Sequence, residues 1–335
     1  MGEKILLEHG SGGRMSHDLI RDLFFKYFSN TILCRNGDSA LLGSIENPAF
    51  TTDSYVVDPV FFPGGNIGKL AVCGTVNDLA AAGAVPLYLS AGFIIEEGLP
   101  LADLEKIVIS MAEEAEKAGV RIVTGDTKVV NRGHCDKIFI NTAGIGMIGH
   151  GKQNISSGEM IKPGDSILIN GFIGDHGIAV MGQRESLQFG SDVLSDCASL
   201  HNITQNLMDK ADVHFMRDAT RGGLATVLTG IAEQFGVGIE SEEDKIPVRD
   251  SVGGLCELFG LDPLYVANEG KMVVLVPGEQ EQIALDIMRN SEHGKEAAII
   301  GRVTVEHPGK VIMHTGIGGK RFVDMLAGEQ LPRIC

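Results

Sequence analysis

The chain ends on a cysteine, in the run Leu331-Pro332-Arg333-Ile334-Cys335. With no residue beyond it, the Cys335 thiol could be carried far from the body of the protein, although on this feature alone an incidental thiol on a disordered end is the more ordinary reading. Gly316, Gly318 and Gly319 form a permissive hinge, and Pro332 keeps Leu331 extended. From Gly319 onward an extended segment spans roughly 50 Å, at about 3.3 Å per residue. A travelling thiol needs something to meet. Four aspartates suggest what: Asp38, Asp53, Asp78 and Asp126 each stand beside small residues after an apolar run. Singly, each could cap a turn or a helix. As a set they suit a shared Mg²⁺, which takes oxygen ligands and usually sits between one or two carboxylates and the phosphates of a substrate.

Two further runs suit phosphate. His9-Gly10-Ser11-Gly12-Gly13-Arg14 precedes a helix, so backbone N–H groups and the helix dipole could face an anion. The run is neither a Walker A loop nor a dinucleotide fingerprint, and a plain N-terminal turn explains it equally well. Thr124-Gly125-Asp126-Thr127-Lys128 reads as a strand end, where α/β domains bind ligands. Lys128 there could contact phosphate or, with its pKa lowered by burial, move a proton. In the second half, Arg217-Asp218-Ala219-Thr220-Arg221-Gly222-Gly223 looks like another helix-start anion site. Asn268-Glu269-Gly270-Lys271 sets a carboxylate among apolar strand residues, which makes Glu269 an acid–base candidate. His176, in Asp175-His176-Gly177, reads as a helix cap.

The elements that must carry these groups follow from periodicity. Helical spacing of apolar residues predicts helices over 15–28, 68–82 and 101–118, and strands over 49–52, 87–95, 121–124 and 137–148. A polar, glycine-rich stretch near 149–164 marks a domain boundary. Beyond it the pattern predicts strands at 166–170, 264–266, 272–276 and 299–303, with helices near 177–184, 200–208 and 279–290. The fold class is therefore α/β (α+β) in two domains, 1–155 and 156–319, with a mobile tail over 320–335 carrying the terminal cysteine. At 335 residues a second core is expected, since single cores rarely grow past ~250 residues.

Composition narrows the partners. A formal charge of −16 argues against nucleic acid or an anionic membrane, though not against a nucleotide held through a cation. Tryptophan is absent and aromatics make up only 5%, which disfavours base stacking. The six cysteines are scattered without a Cys-X-X-Cys pair, a reduced, cytoplasmic pattern. Met1-Gly2-Glu3-Lys4 shows no signal peptide. The uncharged run 79–95 is broken by Gly83, Pro86 and Gly92, so no membrane span is expected.

Together these runs resemble the hydrogenase maturation family HypE, in the PurM/aminoimidazole ribonucleotide synthetase superfamily, over essentially the whole chain. The resemblance rests on the 9–13 run, Thr52-Asp53-Ser54-Tyr55-Val56-Val57-Asp58-Pro59, the run from Phe62 to Leu70, and Gly125-Asp126-Thr127-Lys128-Val129-Val130. It continues through Asp218–Gly223, Ala267–Lys271 and the terminal Pro-Arg-Ile-Cys. The terminal run sets this family apart from selenophosphate synthetase and thiamine monophosphate kinase, which share the other motifs. One departure is Asn36-Gly37-Asp38-Ser39-Ala40, where the family often has paired acidic residues and only Asp38 carries over.

The resemblance implies a PurM-like architecture, with an N-terminal ATP-binding and dimerisation domain and ATP near the dimer seam. It implies an ATP-dependent carbamoyl dehydratase. A carbamoyltransferase, HypF, would load Cys335, and the chain would dehydrate the thiocarbamate to a thiocyanate. The cyanide would then pass to iron on a HypC–HypD scaffold for [NiFe]-hydrogenase. Expected ATP contacts are Gly10, Ser11, Gly12, Gly13, Asp53, Lys69, Asn77, Gly125 and Asp218, with Mg²⁺ on Asp38, Asp78 and Asp126. Lys128 and Glu269 share phosphate contact and nitrogen deprotonation, in either assignment. The alternative is a small-molecule kinase or synthetase of the same superfamily, which leaves Cys335 idle. A metallochaperone using Cys335 as a soft ligand lacks a second Cys or His in the tail.

Overall fold

A computed structural model describes residues 4–184, 193–326, 328, 331 and 333–335. Residues 1–3, read above for a leader, and Pro332, read as holding the tail extended, lie outside the described residues. The first helix, α1 (Arg14–Leu19), passes through a π turn at Ile20–Phe24 into α2 (Phe25–Phe28). A four-stranded sheet follows from β1 (Pro48–Tyr55), β4 (Ala84–Glu96), β5 (Arg121–Val130) and β6 (Ile138–Ile148), in the order β1-β6-β4-β5. The pair β4–β5 is parallel and the others antiparallel. A small hairpin, β2 (Phe61–Phe62) and β3 (Gly65–Asn66), leads into α3 (Ile67–Ala81).

Helix α3 is capped by Asn66, whose side-chain oxygen accepts from the N–H groups of Gly68 and Lys69. It is apolar almost all round, because it is packed on every side. The first sheet and α4 (Leu101–Lys117) cover it from one domain, and the helix His201–Lys210 and the strand Phe215–Asp218 of the second domain from the other. On the far face of the sheet Phe50, Val85, Ile94 and Met147 are exposed.

Residues 149–165 contain turns only. The second domain holds β7 (Ser166–Ile169), α5 (Asp175–Arg184), α6 (His201–Lys210), β8 (Phe215–Asp218), α7 (Gly223–Phe235) and β9 (Gly238–Glu242). It continues with α8 (Asp250–Phe259), β10 (Met272–Val276), α9 (Glu281–Arg289), β11 (Ala298–Thr304), β12 (Val311–His314) and β13 (Lys320–Val323). Its seven strands run β13-β12-β9-β11-β7-β10-β8, with only β9–β12 parallel. β10, Met-Val-Val-Leu-Val, is buried along its whole length, as expected of a strand covered on both faces. Among the described residues no helix is long and apolar enough to cross a membrane.

Three sequence expectations are corrected here. The run 264–266 is no strand: Pro263–Tyr265 forms a 3₁₀ turn capped by Asp262, whose side chain accepts from the Leu264 N–H. Residues 320–323, expected to begin the tail, form β13 and pair with β12. Thr124–Lys128 lies inside β5, an edge strand, rather than beyond a strand end.

Candidate functional site

A cavity of about 220 Å³ opens between the domains, lined by Thr52, Asp53, Gly74, Asp78, Asp218, Thr220, Arg221, Glu269 and Cys335. Each element delivers its group for a local reason. Asp53 comes from the half-buried alternation of β1, and Asp78 from the last turn of α3. Gly74 keeps that helix close to β1, since a Cβ there would meet the Tyr55 hydroxyl at 2.3 Å. Asp218 ends β8. The chain then turns through Gly222 and Gly223, both in the left-handed region, and a Cβ on Gly223 would strike the Leu264 carbonyl at 2.4 Å.

Glu269 is held by its main chain. Its N–H donates to Asp196, which also accepts from the Gly270 N–H and pairs with Lys271 at 2.9 Å. Its side chain is 3% exposed, and its Oε1 has no hydrogen-bond partner among the described residues. An orphaned buried carboxyl oxygen facing a polar cavity is a group waiting for a ligand. Burial, then the charges of Asp196, Asp218 and Asp53, push its pKa well above the usual range. Burial and repulsion from Asp78 and Asp53 push Asp218 to about 7. Asp78 is likewise raised, by burial first, although the Thr51 hydroxyl donates to it at 2.7 Å. Carboxylates whose charge is disfavoured by burial and crowding are a donor set that a divalent cation would relieve. No three metal-binding side chains among the described residues form a preassembled site. This suits an ion that keeps several water or phosphate ligands.

The terminal residues reach this cavity along the domain seam. A Cys335 carboxylate oxygen accepts from the Val56 N–H at 3.0 Å, and the Arg333 carbonyl from the Asp58 N–H at 3.2 Å. Ile334 is 4% exposed and packs into the core of the first domain, a burial worth about 1.5–3 kcal/mol. Cys335 also borders a second, larger cavity that it shares with Arg221, Tyr265 and Leu331.

Half of the expected site lies elsewhere. Gly10, Gly12, Gly125, Asp126 and Lys128 line a separate groove with Asn36 and Ser39, against the β5 edge. Gly10 is pressed on Val129, where a Cβ would come within 2.4 Å of its nitrogen. Ser11 is exposed, its hydroxyl donating to the Glu8 carbonyl, and Gly13 precedes α1 as its N-cap. Lys128 pairs with Asp126 at 2.6 Å, and this bond lowers the Asp126 pKa. Asp38 is exposed in the loop before β1. Asp38, Asp78 and Asp126 therefore do not share one cation within the chain, and Lys128 does not face Glu269. Strands β6 and β4 separate β1 from β5, roughly 14 Å at about 4.8 Å per strand.

Two other expected ATP contacts are occupied. The Asn77 side chain donates to the carbonyls of Ala198 and Glu269 and accepts from the Leu200 N–H, so it ties the domains together. Lys69 reaches the Gly64 carbonyl. His176 is not a cap. Its ring is fully buried and bonds to Ser195 Oγ and to the Ile334 carbonyl, both at 2.8 Å. Thr52 and Thr220 in the cavity wall lie within runs singled out in the sequence, but neither was itself assigned to the site.

Comparison with known proteins follows this geometry. Residues 36–148 match the N-terminal domain, and 162–314 the C-terminal domain, of AIR synthase related proteins. A Rhodobacter capsulatus protein named carbamoyl dehydratase HypE is 51% identical, over 99% of this chain and 98% of its own length. The chain belongs to the HypE family of carbamoyl dehydratases. A crystal structure of a hydrogenase maturation protein HypE in complex with ATP matches with a TM-score of 0.95 at 52% identity, covering 98% of this chain and 99% of that one. A HypE–HypF complex contains a chain that matches with a TM-score of 0.79 at 50% identity, covering 92% of this chain and 99% of that one. Membership in HypE makes the chain a dehydratase of PurM-like, AIR-synthase-related architecture.

Proposed function

We propose that this carbamoyl dehydratase works on its own C-terminus, converting an S-carbamoyl group on Cys335 to a thiocyanate at the expense of ATP. The product supplies the cyanide of a [NiFe]-hydrogenase iron centre. The observation that carries the reading is the seating of the terminal residue in the wall of the acidic cavity, beside Glu269. A thiocarbamate is hard to dehydrate because hydroxide is a poor leaving group. Attack of its oxygen on the γ-phosphorus of ATP expels ADP and, with release of one of the two N–H protons to solvent, gives a phosphorylated imidate that keeps the other. Loss of the N–H proton to Glu269, with cleavage of the C–O bond, then leaves the nitrile and inorganic phosphate. Glu269 suits proton transfer because its pKa is raised and its Oε1 is unengaged among the described residues.

Asp53, Asp78 and Asp218 are the residues that would hold Mg²⁺, which neutralises phosphate charge during transfer. Arg221, bordering both cavities, adds positive charge at the mouth. HypF is the proposed donor of the carbamoyl group, as the complex of relatives suggests, and the HypC–HypD pair the acceptor of cyanide. The exposed outer face of the first sheet is the proposed seat of a second copy. Asp126 and Lys128 lie on that same face, in register with Asn141 and with the exposed Ile94. A second copy would thus bring its edge groove toward the ATP of the first. The reading places the reaction in the cytoplasm, where thiols stay reduced.

Intact-mass analysis tests the acceptor. Wild-type protein incubated with carbamoylated HypF and ATP should gain one carbamoyl group and then lose one water. Cys335→Ala should bind ATP normally and show neither change. A carbamoyl adduct on that variant would remove Cys335 from the reaction.

A further inference from the structure

The terminal segment is gripped at its main chain by donors from both domains. From the first, Val56 and Asp58 give N–H groups to the Cys335 carboxylate and the Arg333 carbonyl. From the second, Arg184 donates to the Arg333 carbonyl at 3.0 Å and to the Asp58 carbonyl at 2.7 Å. Between them lies the Ile334 carbonyl, met by His176 Nε2 at 2.8 Å. A carbonyl only accepts, so Nε2 carries the proton and Nδ1 is left to accept from the Ser195 hydroxyl. Ser195 is itself fixed, its oxygen taking the Cys197 N–H at 3.1 Å and its own N–H reaching the Pro63 carbonyl at 2.8 Å. The ring stands edge-on to Phe62, with centroids 5.3 Å apart. Burial holds its pKa below the usual value, so the neutral tautomer that this network needs is the one present.

A histidine that only fills core space bonds to a fixed neighbour. This one points its single free donor at the penultimate residue of the chain, on the segment that must leave to be modified and return to react. Loss of that donor would leave a buried carbonyl unpaired one residue from the reacting sulfur.

We propose that His176 is a positioning residue for the dehydration: its Nε2–H fixes the Ile334 carbonyl and thereby the depth at which the Cys335 sulfur enters the acidic cavity. The proposal rests on the reading that Cys335 is the acceptor. Two measurements on full-length protein test it. The first is the single-turnover rate of water loss from the carbamoylated protein at saturating ATP. The second is amide hydrogen exchange at Val56 and Asp58, whose N–H groups are bonded to the tail.

His176→Phe should slow water loss about 5- to 100-fold, the scale of one lost buried hydrogen bond, with the KM for ATP unchanged. Exchange at Val56 and Asp58 should accelerate while β7 and α5 stay protected. His176→Gln, whose amide can donate from near the Nε2 position, should recover most of both effects. If His176→Phe does not fold, Ser195→Ala serves instead, freeing the ring to change tautomer, with the same signature at smaller size. Normal rate and protection in these variants would overturn the proposal, as would protection lost equally across β7 and α5. Failure of the functional reading looks different: wild-type Cys335 would never carry a carbamoyl group, while exchange at Val56 and Asp58 would still respond to His176.

Discussion

The cavity at the domain seam and the groove on the β5 edge both contain aspartates that follow apolar runs, yet they hold them in opposite states. In the cavity, Asp78 and Asp218 are crowded and shielded from water, and their pKa values rise. In the groove, Asp126 is open to solvent and neutralised by Lys128 two residues on, and its pKa falls. The first arrangement stores repulsion that a cation would release; the second is already satisfied and costs little to leave empty. Residue type and flanking sequence do not separate the two. What separates them is which element the aspartate stands on and which way that element faces.

The sharpest way to break this comparison is Glu269→Gln, which keeps the size of the buried side chain but removes its basicity. Carbamoylation of Cys335 should persist while water loss falls about 10²- to 10⁴-fold, the usual range for an acid–base group. Intact mass would show the carbamoyl form accumulating, and normal turnover would take Glu269 out of the chemistry. Next in size is a complementation experiment on the groove. Lys128→Met and Cys335→Ala should each be strongly impaired alone. Mixed dimers should regain water loss on the Lys128→Met chain if the groove serves the cavity of its neighbour. No recovery, with mixed dimers verified by native mass spectrometry, would confine each groove to its own protomer.

The smallest effect is on stability. Asp218 ionises at about 7 in the folded chain against a usual 3.8. Between those values the unfolded chain holds fewer protons, so stability should fall as pH rises from about 4 to about 7 and then level off. Asp218→Asn should flatten that slope, and Mg²⁺ with ATP should do the same in the wild type. Thermal unfolding across this pH range measures both.

Much of the scaffold was legible. The helix expected over 68–82 is observed at Ile67–Ala81, because its apolar run and the closing Gly83 are local signals. The strands of the first domain were located from β-branched runs, though β1 and β5 run on to Tyr55 and Val130. The distance between Asp53 and Asp126 was not legible, since strand order is a long-range property that no local pattern carries. The turn-like reading of Thr124–Lys128 failed for a related reason: an edge strand with one open face tolerates Gly, Asp and Lys, the residues of a turn. Lys320-Arg321 likewise looked like a polar tail but closes a sheet. His176 was misread because its partner lies 158 residues away.

The seating of Cys335 also has a kinetic consequence. A substrate that is the end of the enzyme's own chain has no dissociation constant, only an equilibrium between seated and unseated positions. Dehydration should therefore be first order in the assembled protein and insensitive to dilution for as long as the proposed dimer stays intact, with ATP as the one component able to saturate. If Cys335 is the acceptor proposed above, each molecule turns over once per loading, and the steady flux of cyanide belongs to the step that recharges the sulfur, not to the cavity that dries it.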